Sequence, residues 1–374
     1  MIKFWSYNRE FNRYKKPILS KITRTLNSGS IFFGKELENF EKKFITKYKG
    51  KFGIAVGSGT DALLISLKTL NLKKGDEVIT AANTAIPTIS AIINAGGTPK
   101  LVDVGNDYLI DVKKIEKAIN SKTRAIIPVH LYGQMCDMDE IIKIANKKKI
   151  LIIEDCAQAQ GAKYKNKFAG TIGKFGCFSF YPTKILGAYG DGGFIFTKSF
   201  EAYKKIKRLR FYGIETFSKN KFKNEYYANE NGYNSRLDEV QSTILSFKLD
   251  KVNNFIKKRK MLANFYLKKL ANTNLVLPRK NLNCDHVYHL FTVYHPKAQK
   301  IKRMLVKRNI QTRTVYPHPI HKMKAYSNFI KNKNELKYSE KFTKYIFCLP
   351  LYPEISKTEI NKICNTLISI IKKV

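Results

Sequence analysis

Between residues 52 and 197 the chain alternates short β-branched runs with helix-like stretches, and few architectures accommodate that rhythm. The runs are FGIAV (52–56), DEVITA (76–81), PKLVDV (99–104), RAIIPVH (124–130), ILIIED (150–155), CFSFY (177–181) and GFIFT (193–197). Between several of them, apolar residues recur at i, i+3 and i+4, as in TDALLISLKTL (60–70) and MDEIIKIANKKK (138–149). Strand, helix, strand repeated this way predicts an α/β fold, with a large domain whose mostly parallel seven-stranded sheet is covered by helices. Such sheets collect their ligands at the carboxyl ends of the strands.

A chain of 374 residues is longer than one core usually serves, so a second lobe is expected. The pattern changes after residue 234: positions 236–270 read as one long amphipathic helix or two. A strand (HLFTVYH, 289–295), a helix (KAQKIKRMLVKRN, 297–309) and a final helix (KTEINKICNTLISIIKKV, 357–374) follow. This divides the chain into a large ligand-binding domain, 1–245, and a smaller C-terminal α+β domain, 246–374. The polar stretch 215–231 reads as a surface loop.

The formal charge of +40, from 69 Lys+Arg against 29 Asp+Glu, invites a nucleic-acid or acidic-membrane reading. The lysines are spread over the whole chain, however, and no DNA- or RNA-binding motif accompanies them. They read as solvated faces, with no specific nucleic-acid partner. Six scattered cysteines without a CxxC pair imply neither a zinc ribbon nor a disulfide framework, which suits a reducing cytoplasm. The opening MIKFWSYNREFNRYKK is too broken by charge for a signal peptide, and no run approaches the ~18 apolar residues of a membrane span. A soluble, cytoplasmic protein is expected.

Three segments carry chemistry. In VGSGTDALLISL (56–67) a strand runs through small residues into a helix, whose N-terminal amides form a cup for an anion such as phosphate. The P-loop lysine and the GxGxxG spacing are both missing, so ATP and NAD lose weight. In IIEDCAQAQGAKY (152–164) a strand ends in two acids, which either cap the next turn or, at Asp155, set a counter-charge against a protonated ring nitrogen. In GCFSFYPTKILGAYGDGG (176–193), Lys184 stands between an apolar run and glycines that permit close backbone approach. Desolvation there lowers a lysine's pKa, and a neutral amine can form a Schiff base with an aldehyde. Ser179 could offer its hydroxyl to the same phosphate. A phosphate cup, an acid for a ring nitrogen and an amine for an aldehyde are what pyridoxal 5'-phosphate needs.

The sequence resembles the nucleotide-sugar aminotransferases of the fold-type I, aspartate aminotransferase-like superfamily. The resemblance runs through SGSIFFGKELENFEKKF (28–44), GSGTDAL (57–63), GDEVITAANTAIPTISAI (75–92), PVHLYGQ (128–134), EDCAQAQGA (154–162), FSFYPTKILGAYGDGG (178–193), GYNSRLDEVQ (232–241) and YPHPIH (316–321). It implies that Lys184 binds the cofactor covalently, that Asp155 pairs with the pyridine nitrogen, and that Gln158 touches the ring oxygen or lies against the ring. Gly59, Thr60 and Ser179 would hold the phosphate, and Asn234 would reach the phosphate of the neighbouring subunit's cofactor, which implies a homodimer with shared sites. One departure is Ala85, where many relatives carry an aromatic residue stacked on the ring. Related dehydratases replace the lysine with histidine; its presence favours amine transfer.

By the same resemblance the cycle is ping-pong, with glutamate as donor, 2-oxoglutarate as first product, and a nucleotide-diphosphate-linked keto-sugar as acceptor. The GDGG, PVHLYGQ and YNSRLDE segments resemble the 3-keto-sugar branch, the 4-keto branch usually ending in EGG at that point. A dTDP-3-oxo-6-deoxyhexose is the first choice, a UDP-linked 3-oxo sugar the second and a 4-keto sugar the alternative; a cofactor-binding regulator without turnover is the reading from another class. Tyr181, Tyr212, Arg236 and His321 are the candidates for gripping the substrate. His286, His289 and His295 read as parts of a strand and the turn before it. No histidine pair converges with an acid, so no metal is expected.

Overall fold

The computed structural model describes residues 1–215, 226–330 and 336–374. The large sheet uses β1 (Phe52–Val56), β2 (Glu77–Ala81), β3 (Thr98–Val102), β4 (Thr123–Ile127) and β5 (Leu151–Asp155). The two-residue strands β6 (Lys163–Tyr164) and β7 (Lys167–Phe168) intervene before β8 (Phe175–Ser179) and β9 (Gly193–Thr197) complete it. Its order is β1-β9-β8-β5-β4-β2-β3, and β3, β2, β4, β5 and β8 pair in parallel, with β9 antiparallel to both neighbours. All seven expected strands are present. The sixth begins two residues earlier than CFSFY suggests, because Phe175 and Gly176 pair with Thr197 and Phe196.

Helices α1 (Tyr7–Asn27) and α2 (Lys35–Tyr48) precede β1; α3 (Gly59–Lys68), α4 (Ile86–Asn94), α5 (Val112–Ala118) and α6 (Met138–Lys148) alternate with the parallel strands; α7 (Phe200–Leu209) follows β9. Phe40 and Phe44 of α2 are fully buried against Phe178, Phe180, Phe194 and Phe196. Each such ring contributes roughly 1.5–3 kcal/mol through burial. The N-terminus of α2 is held by the buried carboxylate of Glu239, which accepts from the amides of Gly34, Glu36 and Leu37 at 2.9, 2.8 and 3.2 Å.

The segment 236–270 is two helices, α8 (Glu239–Leu249) and α9 (Val252–Leu270), broken at Asp250 and Lys251. Beyond them come β10 (Cys284–Asp285), β11 (Phe291–Tyr294), α10 (Ala298–Lys307), α11 (Lys337–Tyr345), β12 (Ile346–Leu349) and α12 (Lys357–Ile371). β11 and β12 form an antiparallel pair, while β10 extends the β6–β7 hairpin. A second core gathers Leu262, Tyr266, Phe291, Ile301, Phe347 and Leu367, and Ile2 from the far end of the chain joins it. Of the expected surface loop 215–231, positions 216–225 lie outside the described residues.

α1 also touches the loop after β8. Tyr7 and Phe11 set their rings edge-on to Tyr189 at 4.9 and 5.8 Å, and Glu10 pairs with the buried Lys248 of α8. No helix among the described residues is long and apolar enough to cross a membrane.

Candidate active site

Five residues after β8 ends, Lys184 sits in a loop that closes on itself. Its amide donates to the Tyr181 carbonyl at 2.8 Å, and the Ala188 amide donates to that of Phe180 at 2.7 Å. Gly187 has to lack a side chain, since a Cβ there would stand 2.4 Å from the Pro182 carbonyl oxygen. Ile185, Leu186 and Ala188 are buried and anchor the turn. The amine is thus fixed at the carboxyl edge of the sheet, where burial brings its pKa down to about 8 against the opposing pull of Asp155.

Asp155 closes β5 and is buried. Its carboxylate accepts from the Ala157 amide at 3.1 Å and from the Thr88 hydroxyl at 2.9 Å, and Thr88 is in turn bonded to Thr84 at 2.9 Å. Burial nevertheless raises its pKa, outweighing those bonds and the nearby Lys184. A carboxylate in that condition lacks a cation, and a protonated ring nitrogen would supply one.

Its neighbour Glu154 points the other way, as strand alternation requires. It accepts from His130 Nε2 at 3.1 Å and from the amides of Gly170, Ile172 and Gly173 at 2.9, 2.8 and 2.7 Å. Burial pushes its pKa up, but these donors prevail and hold it below the ordinary value. His130, Glu154 and Cys156 cluster as metal ligands would. Yet His130 Nδ1 accepts from the Cys136 amide at 3.2 Å and Glu154 already has four donors, so the cluster is occupied by structural bonds.

Gly59 and Thr60 open α3. The Ser58 side chain and carbonyl take the amides of Asp61 and Ala62, which leaves those of Gly59 and Thr60 without an acceptor among the described residues. Ser179 stands beside them: a Cβ on Gly59 would lie 2.5 Å from the Ser179 Cβ and 3.1 Å from its Oγ. Gly193 is required from below, because its Cβ would meet the Ser58 carbonyl oxygen at 2.1 Å. Helix-end amides with a hydroxyl alongside form an anion site.

Gln158 is buried and pinned at both ends, accepting from the Tyr132 amide at 2.8 Å and donating to the Tyr316 hydroxyl at 2.6 Å. Tyr316, from the YPHPIH segment, thereby brings an aromatic ring to the Asp155 side of the site, while Ala85 only caps α4. The Asn83 amide and the Tyr132 hydroxyl are enclosed beside each other, with no well-formed hydrogen bond among the described residues. Asn83 and Thr88 come from the one NTAIPT stretch, Tyr132 from PVHLYGQ and Tyr316 from YPHPIH; sequence reasoning missed their places in the site although each lies in a motif that carries the resemblance.

The outer candidates divide. Asn234 is exposed, and Ser235 next to it accepts from the Gly57 amide at 2.9 Å and donates to Asp61 at 2.8 Å, which ties this segment to the start of α3. The Arg236 guanidinium lies 4.5, 5.7 and 5.7 Å from the ring centroids of Phe32, Phe211 and Tyr212, with its Nε enclosed and unpartnered. Tyr212 and Tyr181 are 40% and 53% exposed. His321 is not offered to solvent: it is 3% exposed and its Nε2 meets Glu340 at 2.9 Å, so the expectation that it grips substrate at the mouth does not match its placement.

An open anion cup, a buried acid short of a cation and a desolvated amine, set along one sheet edge, fit pyridoxal phosphate, and the class is that of the fold-type I transferases using this cofactor. The chain belongs to the DegT/DnrJ/EryC1/StrS aminotransferase family, whose model matches residues 12–368. It is 41% identical to a dTDP-3-amino-3,6-dideoxy-alpha-D-galactopyranose transaminase of Aneurinibacillus thermoaerophilus, covering 98% of this chain and 99% of that one. Among solved structures it is similar to DesV of S. venezuelae in complex with a ketimine intermediate (TM-score 0.94, 34% identity, 100% of this chain and 99% of that one). It is also similar to NtdA of Bacillus subtilis with bound cofactor PMP (TM-score 0.90, 32% identity, 99% and 85%). The protein is a pyridoxal-phosphate-dependent sugar aminotransferase.

Proposed function

We propose that this enzyme moves an amino group from glutamate to C3 of a nucleotide-diphosphate-linked keto-sugar, with a dTDP-3-oxo-6-deoxyhexose as the preferred acceptor, for glycan or natural-product synthesis. The observation that carries the reading is the desolvated Lys184 amine, at about 8, facing the buried Asp155. The choice of sugar draws support from the printed name of the Aneurinibacillus relative.

Once bound, the cofactor supplies an aldehyde to carry the amino group and a ring to take up the electrons of the broken bond. The remaining work falls to side chains. Lys184, neutral in a useful fraction near pH 8, takes and returns the proton at the reacting carbon. Asp155 keeps the ring nitrogen cationic, with Thr88 and the Ala157 amide fixing its orientation. Gly59, Thr60 and Ser179 bind the phosphate, and Gln158, immobilised between Tyr132 and Tyr316, bears on the ring.

The exposed Asn234 reaches across to a second subunit's phosphate, so the working form is a cytoplasmic homodimer. Arg236, caged by aromatics and without a carboxylate partner among the described residues, receives the diphosphate, with Tyr212 and Tyr181 beside it.

The test is a panel of 3-keto and 4-keto sugar nucleotides assayed with glutamate, with the aminated carbon located by NMR. Nitrogen at C3 is expected; nitrogen at C4 moves the enzyme to the other branch. Borohydride trapping with peptide mapping should label Lys184, and a cofactor spectrum that no amino acid alters would favour the regulator.

A further inference from the structure

Behind the turn that carries Tyr132, a cavity of about 760 Å³ opens between the loops after β3 and β4 on one side and β11, α11 and the segment 276–286 on the other. Its size lies within the roughly 300–1,000 Å³ of small-molecule sites. Lys184 and Asp155 do not border it, and neither do Tyr181, Tyr212 and Arg236 at the mouth of the active site.

One wall is aromatic. Phe342 stands edge-on to Tyr108 at 4.7 Å and to Tyr294 at 6.2 Å, and Tyr108 stands edge-on to Tyr132 at 5.8 Å. Such a wall suits the face of a heteroaromatic ring. Gln134, the last residue of PVHLYGQ, also lines the cavity and is only 3% exposed. Its Oε1 accepts from the Asn281 amide at 2.8 Å, but its Nε2 donates to no group among the described residues. Unlike the sealed Nδ1 of His321, that nitrogen is not enclosed by protein, so its donor opens on the cavity. A side-chain amide fixed at one end and open at the other can read the polar edge of a ring.

The charged groups of the lining divide by whether they already have partners. Asp107 accepts from Asn281 Nδ2 at 2.6 Å and from the Leu109 amide at 3.1 Å; Asp111 accepts from the Lys113 amide at 3.1 Å and pairs with Lys114 at 3.7 Å. Asp137 takes the Tyr164 hydroxyl at 2.8 Å and the Glu140 amide at 3.5 Å. Arg279 and Lys341, by contrast, are exposed and have no carboxylate at ion-pair distance among the described residues, and Lys341 lies 5.6 Å from the Tyr294 ring centroid. Acids that are engaged and cations that are not favour an anionic group at the opening.

We propose that this cleft is a second ligand site and that it takes a nucleoside phosphate, the base against the aromatic wall with its edge on Gln134 and the phosphate on Arg279 and Lys341. Leu131 and Tyr132 belong to the lining, and the Tyr132 amide holds Gln158 at 2.8 Å, so an occupant bears on the backbone that orients Gln158. That consequence rests on the role given to Gln158 above; the binding does not.

The test is a titration of the holoenzyme, labelled at leucine methyls, with thymidine 5'-monophosphate. Leu131 and Leu290, which line the cleft, should shift saturably in the wild type and equally in Arg236→Ala, which removes the phosphate contact proposed at the mouth. Arg279→Glu combined with Lys341→Glu, two exposed positions without ion-pair partners, should weaken binding about tenfold or more. Gln134→Glu, which keeps the acceptor for the Asn281 amide and turns the open donor into an acceptor, should do the same. Thymidine and inorganic phosphate should each bind at least about tenfold more weakly than the nucleotide. Shifts that disappear in Arg236→Ala, unchanged affinity in the charge-reversed variant, or equal binding of phosphate alone would each overturn the proposal. None of these outcomes touches the transamination reading, which the sugar-nucleotide panel tests separately.

Discussion

Glu154 and Asp155 are successive residues at the end of one buried strand, and they have opposite fates. Glu154 has four donors, two on each oxygen, and its pKa is held down. Asp155 has two donors, and burial leaves its pKa raised. The face with satisfied bonds is scaffold. The face with missing partners is where something else binds, with Lys184 beside it and the open amides of Gly59 and Thr60 along the same sheet edge. Stability and function are thus separated across the thickness of a single strand.

That separation can be broken by mutation. Lys184→Ala should fold normally and lower transamination by about a thousandfold or more, since it removes the group that moves the proton; steady-state rates beside circular dichroism check both halves. Glu154→Ala should act inversely. Stranding His130 and three amides in a dry interior costs on the order of 3–5 kcal/mol, read as a fall in the denaturation midpoint, with near-normal activity per folded molecule.

Asp155→Asn is the sharper case: activity should drop about a hundredfold through loss of the ring's counter-charge, yet the apoprotein should unfold no more easily, because a strained carboxylate has gone. Equal destabilisation by the two acid substitutions would erase the contrast. The smallest effect is in pH. A lysine with a lowered folded pKa is protonated in both states below about 8 and binds fewer protons folded than unfolded above it, so its contribution to apoprotein stability should rise from pH 8 towards the ordinary lysine value. Comparing melting curves of wild type and Lys184→Met over that window isolates the term.

Much of this was legible in the chain. Periodicity located all seven strands, and the residue types in three segments pointed to the cofactor before any geometry was known. Spacing alone gave no physical ground for preferring Asp155, where the counter-charge was expected, to Glu154. Alternation puts them on opposite faces, but only the fold shows that the 170–173 turn supplies amides to one and leaves the other short. The place of Tyr316 was unreadable for a related reason: it lies in the YPHPIH motif, but it comes more than a hundred residues after Lys184 and only the fold brings its hydroxyl to Gln158. His321 misled because a histidine in a motif can equally be a buried partner for a half-buried carboxylate, as its bond to Glu340 shows.

The rings of Tyr7 and Phe11 against Tyr189 mean that the beginning of the chain leans on the same loop that carries Lys184. Anyone shortening the protein at its start, or fusing a bulky tag there, is therefore editing the active centre from a distance, and kinetic differences between preparations with different leaders should be traced to that prop before the chemistry is blamed.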